Sequence, residues 1–268
     1  MTVHPDPDSL ALATATLVVE EARRAVKMRG RFTVALAGGS TPKKAYELLG
    51  QPPFVELVPW NSVHVFWGDE RCVDPADPRS NERLAREALL DRVPIPPEQV
   101  HPMMKSGVIP EHAASEYDAL LHAFFPFGGD VGSASRNRAE GTETACDLII
   151  LGLGDNGHTA SLFPGSEVLR EEERWAAPVF VDAAAGAGTT AAGQDMWRIT
   201  LTVPFINSAA LVVFLVSGPS KAEVVEEVIE GRLDTLRLPA QLVRPANGRL
   251  CWYLDDDSAS LLNRGSLE

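Results

Sequence analysis

The sequence predicts an α/β protein built on a mostly parallel sheet, and three observations carry that prediction. Apolar runs of strand length alternate with segments of helical periodicity from one end to the other, the pattern of successive βαβ units. Glycine-rich turns stand directly after several of these runs, where a strand hands over to a helix. The 268 residues, 45% of them hydrophobic, suffice for one sizeable core or at most two small ones. No internal repeat or shift of composition divides the chain, so residues 1–268 read as one domain.

The elements follow in order. Residues 8–28 form the first helix, with Asp8 or Ser9 as cap and Leu10, Leu17, Val18, Ala22, Ala25 and Val26 on its buried face. A strand at 32–37, a helix at 43–49, a strand at 63–67, helices at 81–92 and 111–125 and a strand at 148–153 continue the alternation. The second half adds strands at 177–181, 197–203, 210–216 and 250–254. Between the last two lies a helix at 220–230, whose Ala222, Val225 and Ile229 share a face while Glu223, Glu226, Glu227 and Glu230 favour solvent. Asp257 or Ser258 caps a short final helix over 259–262. Residues 128–145 and 183–194 are rich in Gly, Ala, Ser and Thr without apolar periodicity, and read as flexible surface insertions.

Composition excludes several functions. A formal charge of −13 argues against nucleic-acid and anionic-membrane partners, which require a basic face. No apolar run reaches the roughly 18 residues of a membrane span, and the N-terminus lacks the basic start and apolar core of a signal peptide, so a cytoplasmic protein is expected. Three widely spaced cysteines, Cys72, Cys146 and Cys251, fit neither a disulfide framework nor a zinc site and read as reduced. An anionic ligand would therefore need the chain's few cations gathered at one place.

Four constellations offer that place. Gly152-Leu153-Gly154-Asp155-Asn156-Gly157-His158 follows the apolar run at 146–151 and sets a histidine on a sharp turn, a candidate general base near neutral pH; a capping histidine is the plainer alternative. Ala37-Gly38-Gly39-Ser40-Thr41-Pro42 lies between a strand and a helix, with Ser40 or Thr41 as cap and Pro42 at the first helical position, so its free N–H groups form an anion site or simply a tight turn. Asp69, Glu70 and Arg71 follow the strand at 63–67, with Arg79 beyond; Arg71 and Arg79 could hold an anion through their planar forks, or pair with Asp69 or Glu70. Ser217-Gly218-Pro219-Ser220-Lys221 adds an ammonium at a further strand-to-helix turn, and Arg198 either reaches the pocket or faces solvent. The turn at 37–42 matches neither the dinucleotide fingerprint nor the Walker loop, which disfavours nicotinamide and ATP chemistry, and no His-x-x-x-His pair supports a metal, so no cofactor and no metal is expected.

In this order the motifs closely resemble the 6-phosphogluconolactonase family: Ala-Gly-Gly-Ser-Thr-Pro at 37–42, Gly-Asp-Glu-Arg at 68–71, Ser-Asn at 80–81, Gly-x-Gly-x-x-Gly-His-x-Ala-Ser-Leu-Phe-Pro at 152–164, Arg-Ile-Thr-Leu-Thr at 198–202 and Gly-x-x-Lys at 218–221. The resemblance implies a modified doubly wound, Rossmann-like fold with helices on both faces, shared with glucosamine-6-phosphate deaminases. It implies hydrolysis of 6-phospho-D-glucono-1,5-lactone to 6-phosphogluconate in the oxidative pentose phosphate pathway; a strained ester needs only a positioned base and oxyanion donors, so no metal is required, and a monomer or weak homodimer is expected. His158 would activate water. N–H groups of the Gly38-Gly39 or 152–157 turns would stabilise the oxyanion, and Lys221 and Arg198, with Arg71 and Ser40 close by, would hold the phosphate.

One position departs from the family's pattern. Asn156 stands where members commonly carry aspartate, so His158 is expected to find another carboxylate, Asp69 or Asp155, or to work with a lower pKa. Two rival readings remain, a glucosamine-6-phosphate deaminase and a non-catalytic sugar-phosphate sensor. Ser161-Leu162-Phe163-Pro164 replaces the Asn-Glu-Pro of the first, and no basic DNA-binding segment supports the second.

Overall fold

The apolar runs fold as parallel strands because both of their faces are covered. The computed structural model describes residues 1–125, 145–182, 196–263 and 265. Strands β1 (Thr2–His4), β2 (Phe32–Leu36) and β3 (Val63–Trp67) belong to the main sheet, β4 (Asp69–Arg71) to a second one; β5 (Leu148–Leu151) returns to the first, β6 (Ala176–Val181) and β7 (Met196–Leu201) join the second, and β8 (Leu211–Val216) and β9 (Arg249–Asp255) complete the first. The six-stranded sheet has the order β1-β9-β8-β5-β2-β3, and all its pairings are parallel. Every residue of β2, β5 and β8 is buried, which is why these strands read as continuous apolar runs rather than alternating ones.

From β2 the chain turns first to β3 on one side and later to β5 on the other. Such a reversal opens a crevice at the carboxyl ends of the strands, the usual ligand position in open α/β sheets. The helices are α1 (Pro7–Arg29), α2 (Ser40–Leu49), α3 (Phe54–Leu57), α4 (Asn81–Ala88), α5 (Pro110–Phe124), α6 (Val203–Asn207) and α7 (Ala222–Ile229).

Several expectations need correction. Helix α1 starts earlier than expected: Asp6 is its cap, accepting from the Ser9 N–H at 2.6 Å, and Pro7 takes the first position, where its missing N–H costs nothing. Helix α2 begins at Ser40 with Gly39 as cap, so neither Ser40 nor Thr41 caps it and Pro42 is its third residue. Helix α4 gives way after Ala88 to a 3₁₀ turn at 90–92, and residues 256–261 form turns rather than a helix.

The larger correction is the second sheet. Strands β6 and β7 do not extend the parallel sheet but pair antiparallel with each other, and β4 pairs antiparallel with β7. Gly68 is the crossing point: its N–H donates to Leu36 of the first sheet and its carbonyl accepts from Leu201 of the second, both at 2.8 Å. The expected insertions at 128–145 and 183–194 lie outside the described residues, apart from Ala145.

Candidate active site

A cavity of about 200 Å³ opens at the reversal between β2 and β5. Its wall is made by the residues that follow the strands: Gly38 and Gly39 after β2, Gly68 after β3, Gly152 and Gly154 after β5, Ser217 after β8. His158, Asp69, Arg71, Arg198, Ser40 and Lys221 all line it. Chain positions as far apart as Gly38 and Lys221 thus converge because parallel strands end on one side.

His158 is 8% exposed, and its ring stacks on Phe163 with centroids 4.2 Å apart. Nδ1 lies 2.5 Å from Asn156 Oδ1. An amide oxygen only accepts, so Nδ1 carries the hydrogen and Nε2 keeps its lone pair. The turn is glycine for steric reasons, since a Cβ on Gly154 would sit 1.9 Å from the imidazole Cε1 and Gly157 takes φ +78°. Ala160, on the same wall, holds φ 47°, a left-handed conformation uncommon outside glycine. Burial lowers the His158 pKa to about 4; Asp69 and Asp155 oppose the shift while Arg198 and Lys221 reinforce it. The imidazole is therefore neutral at pH 7.

Neither expected carboxylate hydrogen-bonds this histidine. Asp69 Oδ2 accepts from the Ser161 hydroxyl at 2.6 Å and its Oδ1 from Asn81 Nδ2 at 3.1 Å, with Arg198 at 3.8 Å. Asp155 pairs with Lys221. The neutral Asn156 amide is the hydrogen-bond partner at Nδ1 instead.

The cations are arranged in an unusual way. In the β4–β7 pairing Arg71 stands directly opposite Arg198, an arrangement of like charges that destabilises a sheet. Arg198 is 3% exposed, and the buried Nε groups of both arginines meet no acceptor. One Arg71 terminal nitrogen donates to the Arg79 carbonyl at 2.7 Å and to Asn81 Oδ1 at 2.8 Å. Two opposed guanidiniums with unused donors on one cavity wall are organised for an anion.

Arg79 does not belong to this wall. Its guanidinium is turned to Asp77 at 2.8 Å, and only its carbonyl serves the site, by holding Arg71. Glu70 also does not pair with an arginine: it accepts from the backbone N–H groups of Arg71, Asn81 and Glu82, each at 2.7 Å, and from the Ser80 hydroxyl at 3.0 Å. That network fixes Asn81, a residue absent from the expected site set. Its amide bonds Asp69 and Arg71 and fills the space a Cβ on Gly38 would need, at 1.9 Å. The signal for it was the Ser-Asn pair at 80–81 together with the glycine at 38.

The N–H groups of the 152–157 turn are partly consumed: Gly154 donates to the His158 carbonyl at 2.8 Å and Gly157 to the Gly154 carbonyl at 2.9 Å. Helix α2, by contrast, has no side-chain cap, and its first residues line the cavity. Among the described residues no group of three or more potential metal ligands occurs, and no helix is long and apolar enough to cross a membrane.

Comparison with known proteins points the same way. A family model described as glucosamine-6-phosphate isomerases/6-phosphogluconolactonase matches residues 5–252. The chain is 39% identical over 254 residues to a 6-phosphogluconolactonase of Nostoc sp., covering 94% of each, and 40% identical over 239 residues to one of Synechocystis sp., covering 89% and 88%. The solved structure of the 6-phosphogluconolactonase from Trypanosoma brucei is similar at a TM-score of 0.80 and 30% identity, over 98% of both chains.

Proposed function

This chain belongs to the glucosamine-6-phosphate isomerase/6-phosphogluconolactonase family and hydrolyses 6-phospho-D-glucono-1,5-lactone to 6-phosphogluconate in the pentose phosphate pathway, and we propose that His158 is the general base of that reaction. The observation that carries the proposal is the Nδ1–Asn156 hydrogen bond, which leaves Nε2 as the unprotonated acceptor of a neutral imidazole that lines the cavity. Nε2 takes a proton from water as its oxygen adds to the lactone carbonyl carbon. Negative charge then develops on the carbonyl oxygen, and the N–H groups of the Gly38–Gly39 turn and the uncapped start of α2 are the donors placed to receive it. When the intermediate collapses, the bond from the carbonyl carbon to the ring oxygen breaks, and the imidazolium returns its proton to that oxygen. The new carboxylic acid ionises in water.

Arg71, Arg198 and Lys221, with the Ser40 hydroxyl, hold the phosphate in this reading. Asp69 acts through its charge and by holding Ser161 and Asn81, not by bonding the imidazole. Residues 1–268 form one domain, supported by a single cluster of buried apolar side chains running from Ala15 to Leu262. A cytoplasmic monomer or weak homodimer without nucleic-acid or membrane partners completes the proposal, supported by free thiols at Cys72, Cys146 and Cys251 and the net charge of −13.

The test is a lactonase assay with freshly made substrate and a blank for spontaneous opening. His158→Ala is expected to lose about 10² to 10⁴ in kcat, the usual worth of a positioned base. Asn156→Asp adds a carboxylate beside the ring, which favours the imidazolium, so the acid limb of kcat/KM moves to higher pH. Unimpaired turnover in the first variant, or an unmoved limb in the second, removes His158 from the base role.

A further inference from the structure

Another buried carboxylate stands just behind the cavity wall. Asp255, the last residue of β9, is 1% exposed, and among the described residues no cation pairs with it. Its charge is balanced by hydrogen bonds alone: the Ser217 hydroxyl donates at 2.6 Å, the Gly218 N–H reaches both oxygens at 3.0 Å, and the Ser258 N–H donates at 2.9 Å. Ser258 in turn donates its hydroxyl to the Val216 carbonyl at 3.0 Å, closing the lock on the end of β8.

Two of the three donors belong to the turn that carries Lys221. Ser217 lines the cavity, Gly218 holds φ +98°, and the Lys221 N–H donates to the Gly218 carbonyl at 3.1 Å. The three donors satisfy the buried carboxylate, yet a negative charge beside an anion pocket works against anion binding. That cost is offset only if the geometry it imposes is worth more. We infer that Asp255 is a positioning residue which clamps the Ser217–Gly218 turn and so aims Lys221 at the substrate phosphate. The inference rests on the reading of Lys221 as a phosphate ligand.

Asp255→Asn keeps the shape but removes the charge-assisted bonds. It is expected to raise both KM and the competitive inhibition constant of inorganic phosphate about tenfold, the equivalent of one such bond, with kcat within about twofold of wild type. Combined with Lys221→Ala, it should add nothing to the single lysine variant, because both remove the same contact. Loss of kcat and KM together in step with a lowered melting temperature, or full multiplication of the two effects, overturns the inference and leaves Lys221 in place. If Lys221→Ala itself leaves phosphate inhibition unchanged, the phosphate reading of Lys221 fails first and the inference falls with it. Should Asp255→Asn not fold, Ser217→Ala deletes one donor only and is read in the same assay, with a rise of about threefold expected and no change overturning the clamp.

Discussion

At the scale of single residues, Lys221 already has a partner. It pairs with Asp155, whose side chain is 41% exposed, so an arriving phosphate competes with a carboxylate already in place. Exposed pairs of this kind are worth at most about 1 kcal/mol, which limits the competition to about fivefold. Asp155→Asn is therefore expected to lower KM by about two- to fivefold with little change in kcat. A raised or unaltered KM in steady-state kinetics would show that the pair does not gate the lysine. The histidine, the glycines and Lys221 were legible in the sequence because each stands in a turn beyond the carboxyl end of an apolar strand, and residue type plus place suffices there. Asn81 was legible only as half of the Ser-Asn pair at 80–81. Its work consists of bonds to Asp69 and Arg71 and contact with Gly38, partners that only the fold brings to it. Arg79 misled for the opposite reason: a guanidinium beside the right motif has a nearer partner in Asp77.

At the scale of elements, the parallel sheet was readable and the antiparallel one was not. Strands β2, β5 and β8 are buried on both faces and announce themselves as apolar runs, whereas β4 is three charged residues with no hydrophobic signature. Yet β4 is what sets Arg71 against Arg198, so half of the cation site depended on the least visible strand. The edge of the main sheet carries a further, testable property. Beyond β3 the segment at 100–101 closes the edge, with the His101 N–H donating to the Val65 carbonyl at 2.9 Å and the His101 ring 3.2 Å from His64. Burial lowers the His101 pKa to about 4, with His64 acting in the same direction, and burial also lowers that of His64. In the unfolded chain a histidine titrates near 6.5, so between about 6.5 and 4 the unfolded state binds more protons and stability falls as the pH drops. Melting curves at pH 7 and pH 5 should show a smaller loss for His101→Gln than for wild type. An identical loss would place the acid sensitivity elsewhere.

At the scale of the whole molecule, the question is how a chain of net charge −13 captures a phosphorylated anion. The cavity wall itself carries Arg71, Arg198 and Lys221 against Asp69, and counting the Asp155 paired with Lys221 it is still net positive within a negative molecule. Which field the substrate feels depends on distance and salt. At about 0.01 M ionic strength the screening length is roughly 30 Å, comparable with the protein, and the full negative charge repels the approaching substrate. Near 0.15 M it shrinks to about 8 Å, and only the cavity's own cations remain within range. At about 1 M it is near 3 Å, and even direct contacts weaken. The value of kcat/KM should therefore rise between the first two conditions, by about twofold or more, and fall again at the third. Replacing both arginines by glutamine would abolish the maximum by removing the attraction that screening uncovers. A monotonic decline with salt in the unaltered enzyme would mean instead that the cavity focuses its field far enough outward to steer substrate from a distance, against the charge of the molecule around it.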